Sequence, residues 1–281
     1  MRLGVTMFVT DRSIGPDALA REVEARGLDS LFVPEHTHIP VGRRTPAPMG
    51  EPLPEQYRRT YDPFIALTAA ASATSRIRLG TGVCLVAQRD PIVTAKEVAS
   101  LDLYSGGRFV FGVGFGWNED ELEDHGVAMS ERREVARDKV LAMQALWADD
   151  PAGYEGKHVR VSPSWAFPKP VQRPRPPILV GGGAGPKLFA HIAEYADGWI
   201  PIGGAGVRES LPALHEAAEK AGRDPATIEV MIFFAMPTAD KLDYYRQLGV
   251  TEVVSALPSD TADTVLPLLD RYAQLVPAAR D

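Results

Sequence analysis

Side chains suited to proton transfer follow a short apolar run near the start of the chain. Residues 30–34 are predicted to form a strand, and Glu35, His36 and His38 come directly after it. Histidine exchanges a proton near neutral pH, so His36 is suited to act as an acid or base, and Glu35 could orient it. We therefore predict that His36 and Glu35 are catalytic residues.

A run of small residues between residues 181 and 185 has the composition of an anion-binding loop. It follows the apolar residues 178–180 and precedes Pro186 and a predicted helix. Backbone N–H groups at a helix N-terminus are free to donate, and the helix dipole favours an anion there. A tight strand-to-helix turn is the alternative interpretation, but it needs only one or two glycines. We predict phosphate binding at Gly181, Gly182, Gly183, Ala184 and Gly185.

Three more glycines alternate along a second apolar run, at Gly112, Gly114 and Gly116. If residues 108–115 form a buried strand, a spacing of two places these glycines on one face and leaves that face bare. A bare strand face can receive a flat ring or another backbone. The pattern is not a dinucleotide fingerprint, because that motif places its glycines in a turn that opens a helix.

The order of predicted elements indicates how these residues are brought together. Eight strand–helix alternations, with strands that are apolar almost throughout, predict a parallel (β/α)8 TIM barrel that forms a single domain over residues 1–281. In such barrels, functional residues lie at the carboxyl ends of the strands. Two irregular segments, residues 40–63 and 153–177, are expected to lie as excursion loops over that C-terminal mouth.

Composition limits the possible partners. The chain has 30 basic and 37 acidic residues, a net charge of -7 and a pI near 5.5, which argues against binding to nucleic acid or an anionic membrane. Small molecules are the expected ligands. A single cysteine, Cys84, excludes an intramolecular disulfide framework. With no signal-like segment after Met1, we expect a cytoplasmic protein.

Four sequence motifs together resemble the luciferase-like monooxygenase superfamily, and more closely its branch of F420-dependent oxidoreductases. They are PEH at residues 34–36, RIRLGTGV at 76–83, DPIVTAKEVASLDLYSGGRFVFGVGFGW at 90–117 and VGGGAGP at 180–186. The third motif is long and specific. The resemblance covers most of the chain.

The resemblance implies a barrel that binds the deazaflavin F420, or alternatively FMN, at its C-terminal mouth and transfers a hydride. It implies that the glycine loop holds the cofactor's phosphate and that Glu35 and His36 contact the ring and the reactive centre. It also implies a cis peptide between Gly82 and Val83, and usually a homodimer. The remaining cofactor-binding residues expected from it are Gly82, Val83, Gly114, Gly116 and Trp117.

Three alternatives remain open at this point. An FMN-dependent luciferase-like monooxygenase would share the fold and the site. A metal-dependent barrel hydrolase would use His36 and His38, but His191 and His215 lie in predicted helices, and the other histidines lie away from strand ends. A flavin-binding paralogue without turnover is the third. Trp117 departs from the family's sugar-phosphate dehydrogenases, which carry a glutamate there, so their substrate is not expected.

Overall fold

The computed structural model describes residues 1–148 and 150–280. Eight parallel strand positions close into a barrel in the order β3-β2-β1-β11-β10-β9-β8-β5, and pairing of β3 with β5 completes the ring. The predicted (β/α)8 TIM barrel is therefore confirmed. The strands are β1 (Arg2–Thr6), β2 (Ser30–Val33), β3 (Arg78–Thr81) with its continuation β4 (Cys84–Leu85), β5 (Phe109–Gly114), β8 (Ile178–Gly181), β9 (Gly198–Ile200), β10 (Glu229–Phe233) and β11 (Glu252–Ala256).

Helices follow the strands and cover the outside of the barrel. They are α1 (Pro16–Ala25), α2 (Pro63–Ala73), α3 (Pro91–Ser105), α4 (Glu119–Asp124), α5 (Arg132–Ala148), α6 (Pro186–Tyr195), α7 (Val207–Lys220), α8 (Ala239–Gln247), α9 (Ala262–Ala273) and α10 (Val276–Arg280). A hairpin of β6 (Ala152–Glu155) and β7 (Arg160–Ser164) lies outside the barrel sheet, and a short 3-10 helix spans Glu55–Arg58. The short α4 was not predicted from the sequence.

Local sequence explains where α3 begins and ends. Asp90 caps its N-terminus by accepting hydrogen bonds from the backbone N–H groups of Ile92 and Val93, both at 2.9 Å. Pro91 occupies the first helical turn, where its missing N–H costs nothing. Gly106 ends the helix in a left-handed conformation, with φ of 69°. These residues fix where the chain turns back into β5.

Two apolar layers are separated by the strands. The outer layer packs the strands against the helices, and the inner layer fills the barrel itself. The inner layer consists of Phe32, Val110, Leu179, Ile200, Met231, Phe233 and Val254, with Val83 packed against it. The barrel is thus a filled core whose open space lies at the mouth.

Charged residues close the opposite end of the barrel. The fully buried carboxylate of Glu252 accepts from Arg2 Nε at 2.8 Å and from Arg78 Nη1 at 2.5 Å, and also from the Ser30 hydroxyl. A buried carboxylate is tolerated when it is paired and fully hydrogen-bonded. This end is therefore structural, in contrast with the mouth.

The alternating glycines of β5 accommodate the neighbouring strand. A Cβ built on Gly112 would lie 2.0 Å from the Thr81 carbonyl oxygen, and one on Gly114 would lie 2.4 Å from Val83 Cγ2. The bare face of β5 therefore receives the backbone at the end of β3 and the Val83 side chain that follows it. Contact with another backbone was one of the two uses predicted for this face, and binding of a flat ring was the other. The Gly82–Val83 peptide is cis, as the resemblance implies. Gly116 lies beyond the strand in a left-handed conformation, with φ of 77°, so the prediction that it shares a strand face with Gly112 and Gly114 is wrong.

The two irregular segments differ in position. The first contacts the mouth, where the ring centroid of Tyr57 lies 5.2 Å from that of His36. The second packs along the outside of α5, where the phenol of Tyr154 and the backbone N–H of His158 both donate to Asp138. This differs from the expected place over the mouth. The second segment joins the end of α5 to the start of β8, and both of these lie at the opposite end of the barrel.

Candidate active site

His36 lies just beyond the end of β2 and is held by a buried carboxylate. Its Nδ1 lies 2.8 Å from Glu121 Oε2, and both side chains are almost fully buried. Trp117 Nε1 donates to His36 Nε2 at 3.4 Å. A neutral ring with its proton on Nδ1 satisfies both contacts, because Nδ1 then donates to the carboxylate while Nε2 accepts. Nε2 thus faces Trp117, which lines the cavity at the mouth, whereas His36 itself does not line it.

Glu121 is also fixed by the backbone of the strand end that it supports. Its second oxygen, Oε1, accepts from the backbone N–H of Thr37 at 3.2 Å. The short helix α4 presents this glutamate, and the helix begins directly after the motif that contains Trp117. The carboxylate therefore orients both the His36 ring and the chain that carries it.

Glu35 has different contacts from those expected. One of its carboxylate oxygens accepts from the backbone N–H of Leu85 at 2.6 Å and the other from Arg89 Nε at 2.6 Å. Among the described residues, Glu121 and not Glu35 is the carboxylate hydrogen-bonded to His36, so the prediction that Glu35 orients the imidazole is corrected. Adjacent residues of an extended segment point to opposite sides, which separates the two side chains.

Arg89 lies at the centre of an ion-pair network beside the site. Besides Glu35, its guanidinium binds Glu97 at 3.0 Å and the Asp62 carboxylate. Burial lowers the pKa of Arg89, but the adjacent carboxylates outweigh that effect and raise the pKa overall.

Burial and the neighbouring Glu35 raise the pKa of the Cys84 thiol well above its ordinary value. Cys84 is therefore a buried thiol and not a nucleophile.

A cavity of about 270 Å³ opens at the mouth of the barrel. Its lining contains seven of the predicted cofactor-binding residues: Gly82, Val83, Gly114, Gly116, Trp117, Gly181 and Gly182. Gly183, Ala184 and Gly185 lie in the same loop but do not line the cavity. The other members of the lining are Leu85, Phe115, Arg132, Arg133, Ile200, Ile202, Phe233 and Phe234.

A larger groove of about 920 Å³ runs between α6 and α7 on the outside of the barrel. It shares only Gly185 with the predicted site, and its lining contains none of the residues that surround His36. The chemistry-bearing side chains lie at the mouth. We therefore assign the candidate site to the smaller cavity.

The glycine loop is held in place by a buried tryptophan. Trp199 Nε1 donates to the Gly182 carbonyl at 2.9 Å, and the Gly182 N–H donates to the Ile200 carbonyl at 3.3 Å. Gly185 is the N-cap of α6, and no side chain caps this helix end. The loop and the first turn of the helix therefore present N–H groups where an anion can bind.

Arg132 and Arg133 add positive charge to the same cavity. The Arg133 guanidinium lies 4.5 Å from the centroid of the Phe115 ring, and Arg132 Nη1 donates to the Met129 carbonyl at 2.5 Å. Over residues 1–148 and 150–280, neither side chain forms an ion pair with a carboxylate, and one nitrogen of each is buried without a partner. Burial and the adjacent Arg133 lower the pKa of Arg132. Two uncompensated cations indicate an anionic ligand.

The arginines of the first irregular segment are paired instead. Arg43 binds Glu51, Arg44 binds Asp120 and Glu123, and Arg58 and Arg59 both bind Glu55. Their charge is thus balanced within the protein. Arg132 and Arg133 could have been identified as a pair of adjacent arginines at the start of the long helix α5.

Metal binding finds little support at the mouth. His38 Nε2 lies 2.9 Å from Asp124 Oδ2, and His125 contacts the Thr37 hydroxyl. In the part of the chain that the structure describes, no group of three or more His, Cys, Asp or Glu side chains is arranged to hold a metal ion.

None of the described helices combines the length and the apolar character needed to cross a membrane.

Fold and site define a class of barrel protein with a ligand-binding cavity at the C-terminal mouth. Residues 17–252 match the family model described as luciferase-like monooxygenase. The chain belongs to the luciferase-like monooxygenase family. Its characterised relatives are oxidoreductases and monooxygenases that depend on F420 or a flavin.

Two relatives show how far the similarity extends along the chain. An uncharacterized protein of Mycobacterium tuberculosis is 44% identical over 277 residues, which cover 97% of this chain and 98% of that protein. The F420-dependent glucose-6-phosphate dehydrogenase of Kineococcus radiotolerans is 29% identical over 258 residues, which cover 88% of this chain and 72% of the enzyme. The similarity therefore extends over nearly the whole barrel.

Two solved structures share the fold. The monooxygenase RslO1 of Streptomyces bottropensis superposes with a TM-score of 0.82 at 21% identity, and both chains are covered completely. An F420-dependent secondary alcohol dehydrogenase, solved with an F420-acetone adduct, gives a TM-score of 0.79 at 19% identity, again with both chains covered completely. At these identities the likeness concerns the fold alone.

Replacing Arg89 with alanine should destabilise the protein strongly. The Arg89→Ala variant leaves Glu35 buried without its cation, and breaking such a buried pair costs about 3–5 kcal/mol. Urea unfolding measures the change in the free energy of unfolding. Arg76→Ala is the matched control, because the Arg76 side chain is 72% exposed and its nearest carboxylate oxygen lies 4.0 Å away. Equal losses in the two variants would contradict the central position of Arg89.

Proposed function

We propose that this protein is an F420-dependent oxidoreductase that transfers a hydride between the deazaflavin and a small organic substrate. The observation that carries the proposal is the contact of the His36–Glu121 pair with Trp117, which lines a cavity that also contains part of the glycine loop and two uncompensated arginines. The family and its F420-dependent relatives support it.

The residues at the mouth fit such a cofactor. Arg132, Arg133 and the N–H groups of residues 182–185 would hold an anionic group of the cofactor. Gly82, Val83, Gly114, Gly116 and Trp117 would contact its ring. When bound, F420 supplies a ring carbon that gives or accepts a hydride.

The chain itself must handle the proton that accompanies the hydride. We propose that His36 Nε2 exchanges this proton with the substrate and that Glu121 stabilises the imidazolium formed when the ring is protonated. Glu35 acts indirectly in this scheme, because it fixes the strand end through Leu85 and Arg89.

FMN-dependent monooxygenation is the second candidate, since FMN-dependent relatives share the barrel. Binding of F420 and FMN, measured side by side, discriminates between the two cofactors.

Trp117 stands where the resemblance places a glutamate in sugar-phosphate dehydrogenases, so we do not propose a sugar phosphate as the substrate. Hydride transfer that persists after chelator treatment would exclude the metal-dependent hydrolase, and a stable cofactor complex without turnover would favour the non-catalytic paralogue.

Adding a carboxylate to the glycine loop should weaken cofactor binding. In Gly183→Asp the new negative charge lies where the cofactor's anion is proposed to bind, so we expect affinity to fall at least about tenfold, equivalent to about 1.4 kcal/mol. Titration of F420 fluorescence measures this. Gly42→Asp is the matched control, since Gly42 is exposed and a Cβ there meets nothing within 4 Å. Unchanged affinity in Gly183→Asp would remove the loop from the site.

Removing the imidazole should affect chemistry more than binding. We expect His36→Ala to lower F420-linked turnover by roughly 10²-fold or more, which is typical of a lost acid–base group, while cofactor affinity changes much less. Glu121→Gln, which still accepts a hydrogen bond from Nδ1, should show a smaller loss. Near-normal turnover in His36→Ala would exclude His36 from the mechanism, and an equal loss of cofactor affinity would make it a structural contact.

We also propose that residues 1–281 form one domain and that the protein is a homodimer. We place the contact on α2 and α3, which expose the large apolar side chains of Ile65, Ile92, Val93, Leu103 and Tyr104. Light scattering of the full chain should give the mass of a dimer at micromolar concentration, and Val93→Asp should shift it toward the monomer. A monomer in the unmodified protein would contradict the proposal.

A further inference from the structure

We infer that one side of the mouth binds the hydrocarbon part of an uncharged substrate. The surface consists of Ile202, Phe234 and Met236 and is called the apolar rim below. This inference extends the proposed function, because it assumes that the cofactor occupies the arginine side of the cavity.

The apolar rim is exposed although its side chains are large and apolar. Ile202 is 68%, Phe234 40% and Met236 63% exposed. They follow the neighbouring strands β9 and β10, and an isolated parallel bridge joins Ile202 to Phe233. Both Ile202 and Phe234 line the cavity, whose wall below them is formed by the buried Ile200 and Phe233. An exposed apolar surface continuous with a cavity is typical of a ligand-binding site.

The backbone holds Phe234 in an unfavourable conformation. Its φ is 58°, and no other non-glycine residue in the described part of the chain has a positive φ. Left-handed backbone is disfavoured for a bulky residue and persists where the surrounding structure enforces it. Here the Phe234 N–H donates to the Val254 carbonyl at 2.9 Å, and its ring lies 6.2 Å from that of Phe233. The fold thus maintains the Phe234 ring at the mouth.

Barrel topology places the apolar rim across the mouth from His36. Around the barrel, β9, which precedes Ile202, lies four positions from β2, and β10, which precedes Phe234 and Met236, lies three positions from it. Strands four positions apart in an eight-stranded barrel lie on opposite sides. A substrate that lies on the apolar rim can therefore extend its reactive group toward His36 Nε2.

The charge distribution defines the class of substrate. Among the residues that the structure describes, Arg132 and Arg133 are the only ionisable ones that line the cavity, and they come from α5. The rim itself carries no ionisable side chain. An uncharged compound with a hydrocarbon chain matches this surface, whereas a sugar phosphate would leave its hydroxyl groups without partners there.

A chain-length series tests the inference. Binding of 2-alkanones with four to ten carbons to the full chain, without cofactor and with F420, is measured by calorimetry. Each added methylene should raise the affinity about fourfold until the rim is covered, as about 0.8 kcal/mol per buried CH₂ implies. Ile202→Ala and Phe234→Gly should flatten this dependence and lower the affinity for 2-octanone by about fivefold or more. Glycine accepts the left-handed φ, so the second variant retains the backbone.

Val171→Ala is the control, because Val171 is also an exposed aliphatic residue, at 48%, but lies in the second irregular segment and not in the cavity lining. It should retain the full chain-length dependence. An affinity independent of chain length, or equal losses in Val171→Ala and Ile202→Ala, would overturn the inference. So would displacement of the ketones by F420 or FMN, which would mean that the cofactor covers the rim. Loss of a dimer in Ile202→Ala would assign the rim to a second copy of the chain instead.

The series also separates this inference from the proposed function. The increase of ketone affinity with chain length should persist in His36→Ala and Gly183→Asp, since neither residue belongs to the apolar rim. If F420 fails to bind or to react while the chain-length dependence remains, the proposed cofactor is wrong and the apolar rim still stands. If F420-linked turnover occurs with no preference for longer chains, the proposed function stands and the apolar rim does not.

Discussion

The guanidinium of Arg89 connects the elements on which the mouth depends. It binds Glu35 beyond β2, Asp62 at the start of α2 and Glu97 within α3. Asp62 also caps α2 through the N–H groups of Phe64 and Ile65. Glu35 is buried, so breaking its ion pair with Arg89 would leave an uncompensated charge inside the protein. The Arg89 network therefore holds the end of β2 against α2 and α3. His36 directly follows Glu35 in the sequence, so this network also fixes the position of His36.

A second constraint is the lack of side chains at two glycines of β5. Gly112 and Gly114 allow the end of β3 and the residues after it to approach β5 more closely than any residue with a Cβ would permit. Thr81 uses this proximity, since its hydroxyl donates to the Gly112 carbonyl at 2.6 Å. Val83 then lies between the inner core and the cavity, and its side chain forms part of the lining. Close strand approach therefore shapes the floor of the site.

The distribution of charge distinguishes the cavity from the surface around it. The arginines of the first irregular segment are neutralised by carboxylates, and those at the closed end of the barrel are neutralised by Glu252 and Glu229. Arg132 and Arg133 lack such partners among the described residues. Uncompensated cations are costly to bury, so their persistence indicates a ligand that supplies the opposite charge. The apolar rim, which follows β9 and β10, has the opposite character, so one cavity has both ionic and apolar lining residues.

The sequence by itself determined the barrel, because alternating helices and strands buried on both faces leave few other arrangements. It also indicated most of the glycines at the mouth, since the carboxyl ends of parallel strands must meet at one end of a barrel. Only the tertiary structure decided which carboxylate orients His36, because Glu121 is 85 residues away along the chain and lies on a helix too short to show a periodic pattern. It likewise decided that Arg132 and Arg133 are uncompensated while the arginines of the first segment are paired. Ion pairing depends on the distance between side chains in space, and the spacing of residues along a chain does not specify that distance.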